Sequence, residues 1–149
     1  TVTSIRWDGS FVAGASGTYT NIWEWKGGAL KHIARVGVIN QASRFAWLDG
    51  GFALCGSTLA LGQELSTYGF NGSSVTGPFT VDVQPSWGQI GAIGVSSDRK
   101  YLALGRLGSS TQALFLYRVD GITLTAYDEQ PVTPSDASAA ALVWTPSGL

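Results

Sequence analysis

The side chains that most often perform catalysis are scarce in this chain. Its 149 residues include a single histidine, His32, and a single cysteine, Cys55. A Ser-His-Asp arrangement would need His32, yet no nucleophile-elbow motif accompanies it and it falls on a predicted outer strand. Cys55 ends an apolar run, which is typical of a buried small hydrophobe rather than a reactive thiol. We therefore predict no catalytic residues and expect the protein not to be an enzyme.

The ten acidic residues follow no metal-ligand spacing. Asp8, Asp49 and Asp98 recur at one turn position, where a carboxylate hydrogen-bonds the local backbone, and Asp128 with Glu129 indicates a solvated acidic loop. No Asp-x-Asp-x-Asp-Gly calcium loop occurs, and one histidine with one cysteine excludes the usual zinc ligand sets. Paired carboxylates for glycoside cleavage stay open, but no pair is singled out. The sequence predicts no metal site and no cofactor.

The six tryptophans are the strongest indication of a binding function. An indole ring buries a large apolar area and keeps one hydrogen-bond donor, so it can stack on a sugar or anchor a protein partner. Trp87 lies in a predicted loop, whereas Trp47 and Trp7 each end a predicted strand beside a turn. For Trp47 and Trp7 a second interpretation stays open, in which the ring packs between neighbouring repeats. These three residues are the predicted binding site.

Charge and hydropathy restrict the partners. Only 13% of the residues are charged and the net charge is −1, so no basic surface is available to bind a phosphate backbone. The apolar stretches are far shorter than the ~20 residues that a membrane-spanning helix needs. No basic-then-apolar leader opens the chain. We therefore expect no nucleic acid partner, no membrane insertion and no signal peptide.

One structural unit is repeated three times. Each copy contains two aromatic residues at i,i+2, then a turn signal and, five residues after the second aromatic, an aliphatic residue. The aromatic pairs are Trp23/Trp25, Tyr68/Phe70 and Phe115/Tyr117, separated by 45 and 47 residues. Repeats of this length are typical of propellers and solenoids. They divide a single domain, residues 1–149, into approximate repeats at 3–41, 42–89 and 90–137, with a partial fourth at 138–149.

Each repeat predicts four short strands. In the second repeat, residues 44–47 run into the turn at 49–50, and residues 52–56 form a continuous apolar strand that we expect to be covered on both faces. The aromatic pair marks a third strand, and residues 75–83 form an outer fourth strand. No stretch shows sustained helical periodicity, so the sequence predicts an all-β fold. The tail repeats a first strand at residues 140–144.

This order of strand, turn, apolar run, aromatic-ended strand, turn and outer strand resembles the blades of WD-repeat-type β-propellers. The third repeat is closest, at residues 95–105 (VSSDRKYLALG), and residues 143–148 (VWTPSG) match the same strand-to-turn step. The Gly-His and Trp-Asp signatures of regular WD repeats are missing. The resemblance implies three four-stranded blades plus one extra strand. Because propellers close with 4–8 blades, other subunits or the rest of a longer protein would have to complete the ring.

The sequence predicts a non-enzymatic structural or interaction protein that works as a component of an assembly, with other copies of itself or other subunits as its protein partners. A methionine-free, weakly charged β protein rich in Gly, Ser, Thr and Ala also resembles small phage virion proteins of the tail or capsid-associated kind, which would place it in the virion. The alternative is a carbohydrate-binding propeller lectin that completes its ring by oligomerisation and holds glycans at Trp7, Trp47 and Trp87.

Overall fold

The computed structural model describes residues 4–7, 9–57, 64–81, 89–107, 112–132 and 142–145. Within these ranges every regular element is a β-strand, which confirms the predicted all-β fold. The strands are β1 (Ser4–Trp7), β2 (Phe11–Lys26), β3 (Ala29–Leu48), β4 (Gly51–Ser57), β5 (Leu65–Phe70), β6 (Val75–Val81), β7 (Gln89–Val95), β8 (Tyr101–Leu107), β9 (Gln112–Asp120) and β10 (Thr123–Val132). This part of the chain contains no helix that could span a membrane.

The strands pair in three antiparallel groups of three, four and four strands. The first group consists of β1, β2 and the first half of β3, in that order. The second half of β3 begins the second group, which continues through β4 and β5 to β6. The third group runs from β7 through β8 and β9 to β10. One register pair, Ser57 with Gln89, joins β4 to β7, so the three groups form a connected sheet system.

The first group contains two long strands where the sequence predicts four short ones for each repeat. β2 stays extended for 16 residues, and β3 stays extended for 20 residues and serves both the first and the second group. The two ends of β2 nevertheless meet, because the Trp25 N–H donates to the Ser10 carbonyl at 2.8 Å. β2 therefore folds back on itself and takes the place of two predicted strands. The four small residues at 14–17 (GASG) lie between the two halves of β2.

One backbone hydrogen bond recurs in all three groups and fixes their equivalent positions. It joins the end of the third predicted strand of a repeat to the residue directly before β2, β4 or β8, and it measures 2.8 Å each time. The donor–acceptor pairs are Trp25–Ser10, Phe70–Gly50 and Val119–Lys100. Trp25 and Phe70 are therefore equivalent, as the sequence spacing predicts, but their counterpart is Val119, two residues beyond Tyr117. The third aromatic pair, Phe115 and Tyr117, is buried and lies two residues out of register with the other two pairs.

The core consists of two clusters on opposite faces of the second group. The cluster between the first and second groups contains a stack of three rings, in which the centroid of Phe52 lies 4.9 Å from that of Phe45 and 5.0 Å from that of Tyr68. The cluster between the second and third groups is mainly aliphatic. Successive side chains of a strand point to opposite faces, so alternate residues of β4 join the two clusters. This confirms that the apolar run at residues 52–55 is covered on both faces.

The first strands of successive repeats lie side by side. The Arg44 Nε–H, in the second half of β3, donates to the Gly91 carbonyl of β7 at 2.7 Å. Residues 142–145 lie against β7 in turn, although they belong to no strand. A Cβ added to Gly94 would lie 3.1 Å from the Leu142 Cβ and 3.4 Å from the Trp144 Cδ1. Gly94 therefore leaves the room in which this segment of the tail packs.

Candidate functional site

Trp47, one of the three predicted binding residues, lies in the cluster between the first and second groups. Its side chain is 9% exposed, and its ring is surrounded by Phe11, Phe45, Phe52 and Phe70 at centroid distances between 4.8 and 6.4 Å. Its Nε1–H has no hydrogen-bond partner among the described residues. Of the two interpretations that the sequence left open, this geometry corresponds to packing between neighbouring repeats.

The other two predicted binding residues lie partly or wholly outside the described structure. Trp7 pairs through its backbone with Val12 at the end of β1, and this register position matches the pairing of Trp47 with Phe52. Trp87 falls in residues 82–88, which lie outside the described residues. The described structure therefore does not bring the three tryptophans together, and a site made of all three stays a prediction.

His32 lies on the exposed surface of β3, as expected for an outer strand. Its Nε2 lies 3.3 Å from Asn21 Oδ1, and the centroid of its ring lies 6.0 Å from that of Trp23. Neither neighbour is a nucleophile or an acid. The described contacts of His32 therefore do not form a catalytic triad.

The acidic residues of the turns act on the nearby chain. Asp98 Oδ1 accepts hydrogen bonds from the Ser96 hydroxyl at 2.6 Å and from the Lys100 N–H at 3.1 Å. The hydrogen bond from Ser96 first, and then the one from Lys100, stabilise the carboxylate and lower the pKa of Asp98. Asp49, the corresponding acid of the second repeat, accepts instead from the Arg99 guanidinium of the third group at 3.2 Å. Asp98 therefore stabilises its own turn, as the turn interpretation expects, whereas the described contact of Asp49 is an ion pair with the third group.

A groove of about 460 Å³ lies between the outer strands of the second and third groups. Its lining comes from β5, β6, β9, β10 and the turn before β10, and consists of Thr67, Phe79, Val81, Tyr117, Ile122, Thr123, Leu124 and Ala126. None of these residues is charged, so the groove suits an apolar or neutral ligand rather than a phosphate. At its edge the third group closely approaches the second, because a Cβ on Gly51 would lie 2.6 Å from Ile122 Cγ2.

Three polar side chains in or next to strands β2 and β5 are buried. Glu64 and Thr20 are 0% exposed and Ser66 is 3% exposed. Neither carboxylate oxygen of Glu64 and neither of the two hydroxyls has a hydrogen-bond partner in the part of the chain that the structure describes. Such groups are rare in folded proteins, because burying an unpaired polar group is costly. The sequence interpretation missed Glu64, whose signal was its position directly before the aromatic-bearing strand β5.

The polar atoms of this set are all oxygens. Within the described ranges no three His, Cys, Asp or Glu side chains lie together as metal ligands.

Comparison with known proteins identifies the fold and no family. No protein-family model matches the chain, and no curated protein matches it. The solved structure of a "putative 6-phosphogluconolactonase" from Bacteroides uniformis is similar to it, with a TM-score of 0.76 and 14% sequence identity. The similarity covers 99% of this chain and 45% of that one, so this chain spans less than half the length of the Bacteroides uniformis protein. At this identity the similarity shows a shared fold.

This similarity corrects the predicted function. The prediction of an assembly component of a phage virion, and its alternative of a propeller lectin, are both wrong, because almost the whole chain aligns with part of a protein named as an enzyme. The prediction rested on composition and on an incomplete count of repeats. Function depends on the residues of a site, which neither composition nor repeat number identifies, and one fold can host many functions.

Proposed function

We propose that the chain forms three consecutive blades of a β-propeller. In a propeller, four-stranded antiparallel sheets are arranged radially around a central channel. Three observations support this arrangement. The first strands lie side by side, from β1 through the second half of β3 to β7. The same backbone hydrogen bond recurs in each group. The two core clusters lie between successive groups, where neighbouring blades would pack.

Further blades would complete this propeller. If three blades correspond to 45% of the Bacteroides uniformis protein, blades of equal size would give a ring of about seven, within the usual range. Residues 142–145, which pack against β7, would begin the fourth blade. Val143 is 88% exposed, which suits a segment whose outer side is covered by the next strand of that blade.

We further propose that the complete propeller hydrolyses a lactone of a phosphorylated sugar acid. The support is the similarity in fold to the Bacteroides uniformis protein, whose name gives that activity. The uncharged groove between β6 and β10 does not add to this support, so the phosphate would bind elsewhere in the complete ring. In this reaction water adds to the lactone carbonyl carbon, the C–O bond to the ring oxygen breaks, and the acid formed releases one proton at neutral pH. Within the described residues His32 contacts Asn21 and Trp23 rather than a nucleophile, so we assign the attack to water.

Proton release on addition of 6-phosphogluconolactone tests this activity. The chain, isolated by size in its assembled form, should release protons faster than the lactone does spontaneously in the same buffer, at a rate proportional to protein concentration. Heat-denatured protein is the matched control. A spontaneous rate from a particle with the mass of a closed ring would refute the activity and leave the propeller standing. A stable monomer would count against closure of the ring by copies of this chain alone.

A further inference from the structure

The turn between β5 and β6 holds one asparagine side chain by its oxygen. Asn71 Oδ1 accepts a hydrogen bond from the N–H of Ser73 at 3.0 Å and from the N–H of Ser74 at 2.8 Å. The hydroxyls of the same two serines donate to this oxygen as well, each at 3.1 Å. Four donors therefore surround the carbonyl oxygen of the side-chain amide, and all three residues are exposed.

The residue after Asn71 is a glycine that this turn requires. Gly72 has a φ of 90°, a conformation that residues with a side chain rarely adopt. It also lies beside the first group, because a Cβ added to it would lie 3.7 Å from Phe11 Cζ. Among the described residues no hydrogen bond occupies the Gly72 N–H. The fold therefore keeps an unhindered backbone nitrogen next to the Asn71 amide.

An asparagine followed by glycine can lose ammonia without an enzyme. The backbone nitrogen of the glycine attacks the side-chain carbon Cγ, so that a bond forms between them and the bond from Cγ to Nδ2 breaks. The proton of the attacking nitrogen passes through water to the leaving group, which departs as ammonia. Water then opens the cyclic imide and leaves aspartate or isoaspartate, with one new carboxylate. Negative charge develops on Oδ1 during the attack, so donors already directed at this oxygen stabilise the transition state.

We propose that Asn71 is a site of spontaneous deamidation, and that the turn promotes the reaction through the hydrogen bonds to Oδ1. Asn21 provides the contrast, because it lies within β2 and is followed by Ile22, a branched residue that is 0% exposed. An aspartate product keeps the acceptor oxygen of the turn, whereas isoaspartate lengthens the backbone of the turn by one carbon. This proposal goes beyond the proposed function and depends neither on lactone hydrolysis nor on closure of a propeller.

Peptide mass mapping over time tests this site. The whole chain is incubated in mildly alkaline buffer, and deamidation is measured as a mass gain of about 1 Da in the peptide that contains each asparagine. The gain should be faster at Asn71 than at Asn21. The double variant Ser73→Ala, Ser74→Ala removes two of the four donors and should slow the reaction about three- to tenfold, because hydrogen bonds in an exposed turn contribute less than those of a closed active site. Ser97→Ala, in an exposed turn of the third group, is the matched control and should keep the full rate.

The same rates measured in concentrated urea separate the turn from the local sequence. Once unfolded, the wild type and the double variant should react equally fast, and a difference as large as in the folded protein would overturn the role of the turn. A gain at Asn71 no faster than at Asn21 in the folded chain would refute the site itself. A rate that is unchanged or higher in the folded double variant would refute promotion by the hydrogen bonds. If the double variant does not fold, slower reaction in Ser73→Ala and in Ser74→Ala supports the proposal, and an unaltered rate in both overturns it.

Discussion

Replacing Phe52 with alanine would remove the middle ring of the aromatic stack between the first and second groups. The ring is 0% exposed and nearly parallel to its two neighbours, at 22° to Phe45 and 12° to Tyr68. Truncation of a buried phenylalanine costs about 3–5 kcal/mol, because transfer energy is lost and a cavity remains. For a chain of this length each kcal/mol shifts Tm by about 2–4 °C. We therefore expect Tm to fall by roughly 6–20 °C.

Urea denaturation followed by tryptophan fluorescence measures this loss. Trp47 lies 5.9 Å from Phe52, centroid to centroid, and so reports on the same cluster. Phe79, which is 50% exposed, provides the matched control, because its truncation to alanine removes about half as much burial. A free energy of unfolding that falls equally in Phe52→Ala and Phe79→Ala would refute the reasoning, since the first and second groups would then not be packed together.

Three further predictions concern other parts of the fold. Gly94→Val should displace residues 142–145 and raise the rate of their amide hydrogen exchange. Gly37→Ala should leave that rate unchanged, because no atom lies within 4 Å of a Cβ added there. Equal exchange rates in the two variants would contradict the packing of residues 142–145 on β7. Burial raises the pKa of Cys55 to about 12, so Ellman's reagent at pH 8 should label the thiol only after unfolding. The pKa of Asp98 is lowered in the folded state. The Asp98 carboxylate therefore stabilises the fold fully above the usual carboxyl pKa near 3.9, and this stabilisation is lost as the pH falls through the lowered pKa of the folded protein. The Tm difference between wild type and Asp98→Asn should therefore be present at pH 7 and disappear on acidification.

The strand pairing after the aromatic residues follows the sequence spacing in two groups and differs from it in the third. Across the turn after each aromatic strand, the aliphatic partners are Leu30 and Val75, as the spacing predicts, but the third partner is Leu124 rather than Ile122. Ile122 is used differently, because it packs close to Gly51 of the neighbouring group. Contacts between groups are formed by residues far apart in sequence, so a pattern within one repeat does not report them.

The candidate site could not be predicted for the same reason. An indole at the end of a strand can face a ligand or a neighbouring repeat, and Trp47 is buried because Phe11 of the first group covers it. An acid before a strand is ordinarily solvated, yet Glu64 is 0% exposed. The environment of Trp47 is set by the packing of one group on another. Composition carried still less information, and it led to the wrong function.

Cross-linking β7 to the tail tests the central claim, that first strands of successive repeats lie side by side around an axis. The variant carries Gly94→Cys and Leu142→Cys, where the two Cβ atoms would lie 3.1 Å apart before relaxation, close to the 3.5–4.5 Å span of a disulfide. Cys55 can remain, because it is buried. Oxidation should give an intramolecular disulfide, seen as a mass loss of two hydrogens and the loss of two free thiols, and Gly37→Cys with Leu142→Cys should give none. If both introduced thiols stay free after oxidation of the first variant, the propeller arrangement is contradicted.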